Sequence, residues 1–114
     1  MTKRALNELK AQLPPGHFGM AAMPVHGKEE TGAEKFRVGL SVFLPGGGAE
    51  RSVDTVEKVY YVLEGEMTIC DKNDNRYVIG KDESLSLLPG DERVLVNESN
   101  LPAKMLIIAC YPDM

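Results

Sequence analysis

The sequence predicts an all-β domain, folded as a sandwich or a barrel. Short runs rich in β-branched and aromatic residues recur along most of the chain, and turn-forming glycine, proline, asparagine or aspartate residues separate them about every 8 to 12 residues. The 114 residues suit one domain, and a hydrophobic content of 43% is enough for one core. Periodicity alone leaves open a jelly roll, an immunoglobulin-like sandwich or another small barrel.

Residues 1–35 are predicted to form a helix and an arm that pack on the barrel or on a partner subunit. Leucines at helical spacing indicate a short amphipathic helix, with a threonine as its N-cap and two prolines at its end. These residues are Thr2, Leu6, Leu9, Leu13, Pro14 and Pro15. The stretch 16–34 has no clear period, and we expect an irregular arm there with one edge strand around 19–23.

Residues 36–114 are predicted to form the barrel. Alternating or densely β-branched runs mark its strands, and polar or Gly/Pro-containing segments mark its turns. The predicted strands cover residues 36–44, 59–63, 66–70, 77–79, 84–88, 93–96 and 105–110. The first of them is expected to end at Pro45, because three glycines follow this proline.

Composition and charge exclude several classes of partner. The net charge of −4 argues against nucleic acid, because phosphate binding needs a basic patch. No apolar run is long enough to span a membrane and the polar N-terminus has no secretory h-region, so a cytoplasmic protein is predicted. Cys70 and Cys110 lie in apolar strands and are expected to be buried free thiols, with a disulfide between them as the alternative.

One segment in the middle of the chain has the spacing of a metal-binding motif without its usual ligands. The motif is Gly, five residues, His-x-His, three or four residues, Glu, six residues, Gly. It starts at Gly46 and closes at Gly65. Its two histidines fall on Ser52 and Asp54, and its glutamate falls on Lys58. In this segment the chain resembles the first motif of the cupin superfamily.

A later segment resembles the second cupin motif, Gly-x5-Pro-x-Gly-x2-His-x3-Asn. Gly90 and Asn97 match it, and Arg93 stands where the last histidine ligand would be. Leu88 replaces the usual proline, and Asp82 replaces the opening glycine unless the glycine two residues earlier serves instead. The resemblance implies the double-stranded β-helix of the cupins, a jelly-roll-like barrel, with a short N-terminal helix and arm.

The resemblance also implies which side chains line the barrel. If Lys58 points inward, as the matching glutamate does in cupins, alternation along the strand places Tyr60 inside and Val59 outside. The same rule points Arg93 inward. On the strand 36–44 the sequence leaves open which of two alternating sets is inside: Val38, Leu40, Val42 and Leu44, or Arg37, Gly39, Ser41 and Phe43.

The matched positions bring charged and polar side chains together against apolar walls. The predicted ligand-binding residues are Arg93, Ser52 and Tyr60, and the predicted catalytic residues are Lys58, Asp54 and Tyr60. Lys58 and Arg93 outnumber Asp54 by one positive charge, so a small anionic molecule is expected to balance it. Arg93 would hold a carboxylate in two parallel hydrogen bonds, with Lys58 as a point charge.

Two other interpretations of these residues stay open. The charged side chains could simply satisfy each other, in the pairs Lys58 with Asp54, and Arg93 with Glu92, Glu57 or Glu50. Alternatively, His17 or His26 from the arm could build a rewired metal site with nearby carboxylates. The carboxylates concerned are Asp54 and Glu57. Because two neighbouring cations would repel a metal, we predict no metal and no cofactor, and expect both histidines to be surface or packing residues.

The resemblance implies a small-molecule cupin, and the substituted ligand positions predict that it works without a metal. Its chemistry, if any, would be an isomerisation, a decarboxylation or a lyase-type elimination, in which Asp54 or Lys58 moves a proton. Lys58 could also form a Schiff base. Arg93 and Tyr60 would hold and polarise the acid. The alternatives are a non-catalytic binding or sensing module, and a structural dimer without ligand. A homodimer is expected, because the leucine stripe of the N-terminal segment offers an apolar surface.

Overall fold

In a computed structural model, which describes residues 1–112, the chain folds as an antiparallel β-barrel, confirming the predicted all-β fold. The described residues contain eight strands and two short helical segments. The strands are β1 (His17–His26), β2 (Phe36–Val53), β3 (Lys58–Glu64), β4 (Glu66–Cys70), β5 (Arg76–Gly80), β6 (Ser84–Leu87), β7 (Glu92–Val96) and β8 (Ala103–Cys110). A 3-10 turn covers Leu6–Glu8, and the helix α1 covers Lys28–Thr31. Residues 113 and 114 of the predicted barrel domain lie outside the described residues.

β2 is the strand around which the barrel is organised. Its first half pairs with β1 and β8, and its second half pairs mainly with β7, so the strand bends from one side of the barrel to the other. The strand order is β5-β4-β7-β2-β8-β3-β6, with β1 added on β2. The prediction that this strand ends at Pro45 was wrong, because β2 continues through the proline to Val53.

The bend of β2 uses residues that elsewhere end a strand. β1 pairs with Phe43 and then with Gly48, so Pro45 falls where the β1–β2 ladder is interrupted and needs no N–H from it. A Cβ atom on Gly47 would lie 2.0 Å from the carbonyl oxygen of Gly19. These glycines therefore allow a close backbone approach between strands, and they do not terminate β2.

Glycines at motif positions occupy turns whose backbone conformation favours glycine. Gly46, Gly65 and Gly90 have φ values of 82°, 73° and 93°, in the left-handed region that favours glycine. Asp82, which replaces the motif's opening glycine, has a φ of 65°, and aspartate tolerates this region better than most residues. Asn97 is fully buried, and its amide donates to two backbone carbonyls at 3.2 and 2.8 Å, which fixes the turn before β8.

A single apolar core fills the space between the inner faces of the strands. Its largest fully buried side chains are Phe43, Val62, Met67, Ile69 and Met105. Burying a side chain of this size contributes about 1.5 to 3 kcal/mol. Phe43 and Met105 also line the barrel cavity described below, so the core doubles as the apolar wall of that cavity.

The N-terminal segment is less helical than predicted. A single 3-10 turn replaces the expected amphipathic helix, and Ala5 is its N-cap instead of Thr2. Leu6 and Leu13 are 59% and 61% exposed and Leu9 is only partly buried, so burial of the leucine stripe gives little support to a longer helix. The arm is more regular than predicted, because the expected edge strand extends over ten residues as β1.

The two cysteines are free thiols, which agrees with the expectation. Cys70 is partly buried, whereas Cys110 is exposed, so the prediction that both are buried was wrong for Cys110. In the part of the chain that the structure describes, no helix has the length and apolar character needed to cross a membrane.

Candidate functional site

A cavity of about 510 Å³ lies in the barrel. Five strands line it, namely β1, β2, β3, β7 and β8, together with α1 and with Tyr111, which follows β8. Pockets that hold small molecules typically have volumes of about 300 to 1,000 Å³. The cavity is therefore large enough for a small metabolite.

β2 presents a mixed polar and apolar wall to the cavity. Arg37, Gly39, Ser41 and Phe43 line it, together with Val38. Of the two alternating sets that the sequence left open, the set that begins at Arg37 is therefore the one that faces the cavity. The predicted alternation on β3 is confirmed as well, because the inward residues are buried and the outward ones are not: Tyr60 and Val62 are 2% and 0% exposed, and Val59 is 37% exposed.

Asp54 and Lys58 form an ion pair beside the cavity. The distance from Lys58 Nζ to Asp54 Oδ1 is 2.7 Å, and the two side chains are 17% and 2% exposed. The Asp54 backbone donates to the carbonyl of Asp91 and accepts from the N–H of Gly90, at 2.8 and 2.7 Å. Lys58 lines the cavity and Asp54 does not. Within residues 1–112, the second carboxylate oxygen of Asp54, Oδ2, is buried without a hydrogen-bond partner.

Arg93 is buried in the cavity wall with neutral partners. Its Nε donates to the Tyr60 hydroxyl at 3.2 Å, and its Nη1 donates to the backbone carbonyl of Glu50 at 2.7 Å. Among the described residues, no carboxylate lies within ion-pair distance of Arg93, so the pairing with Glu92, Glu57 or the Glu50 side chain does not form. Burial raises the pKa of the Tyr60 hydroxyl above its ordinary value, although Arg93 acts in the opposite direction. The hydroxyl therefore stays protonated at neutral pH.

Four of the five predicted site residues come together, and we call Asp54, Lys58, Tyr60 and Arg93 the inner cluster. Ser52, the fifth, is exposed and does not line the cavity. It is opposite Arg93 in the β2–β7 ladder, but the register of that ladder shifts between Ala49 and Ser52. Because directly paired residues share a face of the ladder, Ser52 lies on the same face as Arg93, but at an exposed position beyond the cavity.

The cavity contains polar residues that sequence reasoning placed elsewhere or missed. His17 and His26 were expected at the surface or in packing, and both line the cavity. Glu30 and Tyr111 also line it, and neither was predicted as a site residue. Local sequence did not indicate that these residues line the cavity. The histidines reach it because β1 pairs with β2, and Tyr111 reaches it because the chain returns there after β8.

The residues at the metal-ligand positions do not fit a divalent cation. Lys58 and Arg93 present protonated nitrogen atoms, which repel a metal, and the Asp54 carboxylate is already bound to Lys58. Among residues 1–112, no three His, Cys, Asp or Glu side chains are grouped so that they could hold a metal ion. We therefore assign no chemical step to a metal at this site.

The family follows from the barrel, the two motif turns and a family-model match. The model described as the Cupin domain, Cupin_2, matches residues 39–109. This chain belongs to the cupin family. The match covers both motifs and every residue of the inner cluster.

One similar protein is the beta-D-galactosidase Rv1717 of Mycobacterium tuberculosis. It is 35% identical to this cupin over 98 residues, which cover 86% of this chain and 84% of the relative. The identity and the coverage on both sides indicate a common family and a common domain. The name beta-D-galactosidase belongs to the relative and is not transferred to this chain.

Solved structures with the same fold include several proteins named as enzymes. The polyketide cyclase RemF from Streptomyces resistomycificus has a TM-score of 0.86 and 22% identity, covering 96% of this chain and 80% of its own. A predicted oxalate decarboxylase from Thermotoga maritima has a TM-score of 0.80 and 17% identity, and the match covers 98% of this chain and 100% of that protein. A sugar phosphate isomerase from Silicibacter pomeroyi has a TM-score of 0.79 and 17% identity, covering 97% and 76%. These likenesses establish the fold.

Proposed function

We propose that this cupin binds a small carboxylated metabolite inside the barrel and needs no metal to do so. The observation that carries the proposal is the setting of Arg93, a buried guanidinium in the cavity wall with a hydroxyl and a carbonyl as partners. Lys58 is paired with Asp54, so the excess positive charge of the inner cluster is that of Arg93. A buried charge without a counter-ion is costly, and a ligand carboxylate would offset this cost.

The unused donors of Arg93 suit a carboxylate. A guanidinium has five N–H groups, and Tyr60 and Glu50 accept from two of those on Arg93. Both N–H groups of Nη2 and one of Nη1 remain, and such neighbouring donors can hold a carboxylate in two parallel hydrogen bonds. Tyr60 accepts from Arg93, so its own hydroxyl proton is free to donate to the same ligand.

The chemistry we propose for the inner cluster is proton transfer within the bound acid. In the resting pair the ammonium of Lys58 faces the Asp54 carboxylate at 2.7 Å. Transfer of one proton from Lys58 to Asp54 would leave a neutral amine at the cavity wall, which could take a proton from a C–H bond of the ligand. Arg93 would stabilise the enolate that forms. Return of that proton to a neighbouring carbon would complete an isomerisation without any other reactant.

Binding of organic acids would test the proposal directly. We expect isothermal titration calorimetry to find small carboxylic acids that bind the wild-type protein and bind about 10- to 100-fold more weakly to Arg93→Met, since a charge-assisted pair of hydrogen bonds is lost. Arg76→Met is the matched control, because Arg76 lies on the surface and pairs with Glu98. Its affinity for the same acids should equal that of wild type.

Two results would contradict the proposal. The first is equal affinity of the acids for wild type and Arg93→Met, which would remove Arg93 from the binding site. The second is a stoichiometric transition metal in protein purified without chelator, measured by elemental analysis, together with loss of acid binding when that metal is removed. A bound acid without any catalysed reaction would support the binding half of the proposal and exclude the proton-transfer half.

A second candidate function, glycoside hydrolysis, is favoured by the 35% identical relative named as a beta-D-galactosidase. Most glycosidases need two carboxyl groups, one on each side of the scissile bond. In this cavity Glu30 is a lining carboxylate, and Asp54 lies next to the lining residue Lys58. Hydrolysis of a nitrophenyl β-galactoside that is lost in both Glu30→Gln and Asp54→Asn would support this function. If the protein released nitrophenol no faster than buffer alone, glycoside hydrolysis of this substrate would be excluded.

A further inference from the structure

A second group of polar side chains lines the cavity, separate from the inner cluster. We call it the outer cluster, and it consists of His26 from β1, Glu30 from α1 and Tyr111. Lys28 connects these elements, because its N–H donates to the Tyr111 hydroxyl at 2.9 Å and its Nζ lies 4.4 Å from the centre of the Tyr111 ring. The contact joins residues 83 positions apart in the sequence and holds α1 over this part of the cavity.

The packing around Gly27 brings the outer cluster together. Gly27 is buried, and a Cβ atom there would lie 2.6 Å from Glu30 Oε1 and 2.7 Å from the Tyr111 hydroxyl oxygen. The carboxylate and the hydroxyl therefore converge beside the same backbone position. Any side chain at position 27 would push them apart, so the glycine is needed for this arrangement.

The hydrogen bonds inside the outer cluster determine which groups are left for a ligand. The Thr31 hydroxyl donates to the Gly27 carbonyl at 3.5 Å and lies 3.3 Å from Nδ1 of His26. With its proton used in this way, Thr31 can accept from an Nδ1–H of His26, and in that tautomer Nε2 is the acceptor of the ring. Tyr111 accepts from Lys28, so its own proton can be donated. The cluster thus offers two acceptors, Nε2 and the Glu30 carboxylate, and one donor.

The charge around the two clusters differs. Near the outer cluster, the cavity-lining Lys28 and Arg37 balance Glu29 and Glu30. Among residues 1–112, the inner cluster keeps one positive charge that no carboxylate pairs with, that of Arg93. A ligand with one acidic end and a neutral, hydrogen-bonding remainder matches this distribution.

From these observations we propose that the outer cluster is a subsite for hydroxyl groups, so that the ligand is a polyhydroxylated acid, such as a sugar acid, bound with its carboxylate towards Arg93. This inference rests on the proposed function. Hydroxyl groups can donate to His26 Nε2 and Glu30, and accept from Tyr111. An acid without hydroxyl groups would reach the inner cluster but leave these polar groups without partners.

Three probes separate the two subsites: galacturonate, which has a carboxylate and hydroxyls, cyclohexanecarboxylate, which has the carboxylate alone, and galactose, which has hydroxyls alone. We expect wild type to bind galacturonate at least about tenfold more tightly than either of the other two, as one or two hydrogen bonds would give. Glu30→Ala and His26→Ala should each weaken galacturonate binding about 5- to 20-fold and leave cyclohexanecarboxylate binding unchanged. Glu66→Ala, which removes an exposed carboxylate on β4 away from the cavity, is the matched control and should change the affinity for neither acid.

The possible outcomes distinguish this inference from the proposed function. Equal wild-type affinity for galacturonate and cyclohexanecarboxylate overturns the hydroxyl subsite while the carboxylate site stands, and this comparison needs no variant to fold. A Glu30→Ala variant that weakens both acids equally overturns it as well. If the protein binds galactose but neither acid, the proposed function is overturned. If it binds none of the three probes, the proposed function and the hydroxyl subsite are both overturned.

Discussion

The ion pair beside the cavity and an ion pair on the surface both join a lysine to a carboxylate, but they differ in their exposure to solvent. Lys58 and Asp54 approach to 2.7 Å with side chains 17% and 2% exposed. The surface pair of Lys104 with Glu64 has a separation of 3.8 Å and side chains 31% and 67% exposed. Water screens the surface pair, so its contribution to stability is small, whereas the inner pair has lost most of its hydration.

Three of the arginines, Arg51, Arg76 and Arg93, show a related contrast. Arg51 and Arg76, on the surface, each have carboxylate partners. Arg93, in the cavity wall, has the Tyr60 hydroxyl and a backbone carbonyl. Within residues 1–112, the buried Arg93 thus lacks a carboxylate partner, whereas the exposed Arg51 and Arg76 each have one. This inversion is what a binding site for an anion requires, and stability alone does not explain it.

The largest effect is expected from removing the cation of the inner pair. Lys58→Met would leave the Asp54 carboxylate buried with neither oxygen paired by a side chain, because Oδ2 already has no partner within residues 1–112. Breaking a buried ion pair in this way typically costs about 3 to 5 kcal/mol of unfolding free energy. Urea unfolding followed by circular dichroism would measure the loss.

Two matched variants test whether burial is the cause of that loss. Lys104→Met breaks the exposed pair with Glu64 and should change the unfolding free energy by less than about 1 kcal/mol. The double variant Lys58→Met/Asp54→Leu removes the stranded carboxylate and should recover most of the stability. An equal effect of Lys58→Met and Lys104→Met would mean that the interior and surface pairs do not differ energetically.

A smaller effect is expected from removing the anion of the same pair. Asp54→Asn leaves the Lys58 ammonium, which lines the cavity and can be reached by water there. We therefore expect a loss of about 1 to 2 kcal/mol, clearly below that of Lys58→Met. The same urea series would measure it, and a loss as large as that of Lys58→Met would indicate that the cavity does not hydrate Lys58.

Part of the inner cluster could be predicted from sequence because strand alternation is a local property. Once Lys58 was aligned with a ligand position, a period of two placed Tyr60 inside and Val59 outside. Ser52 shows where this reasoning fails. It is paired with Arg93 and shares its face, yet it is exposed and does not line the cavity, because alternation does not say how far along a strand the cavity extends.

The rest of the differences come from contacts between distant segments. Proline and glycine after residue 44 are the usual signs of a strand end, yet β2 continues because β1 and β7 approach the bent backbone at Gly47 and Gly48. The outer cluster depends on the contact between Lys28 and Tyr111, which belong to opposite ends of the chain. Periodicity and local propensity carry no information about such approaches.

The buried Tyr60 should contribute an instability of the folded state at alkaline pH. Burial raises the pKa of Tyr60 from its ordinary value of 10.0, so the folded state holds the phenol proton more strongly than the unfolded state. The stability due to this proton is fully present below pH 10 and is lost as the pH rises through the raised pKa. We expect the wild-type Tm to fall above about pH 10, and to fall less steeply in Tyr60→Phe. Identical slopes for both proteins would show that Tyr60 is not the titrating group.

The smallest effect is expected at the surface pair of Arg76 and Glu98. Arg76 lowers the pKa of the Glu98 carboxyl by a hydrogen bond, so any stability from this pair is present above pH 4.5 and is lost as the pH falls through the lowered pKa. Both side chains are about half exposed, and solvent screens such pairs strongly. Glu98→Gln should therefore move the Tm at pH 7 by less than about 1 °C in thermal unfolding. A shift comparable to that of Asp54→Asn would mean that exposure does not separate the surface pairs energetically from the inner one.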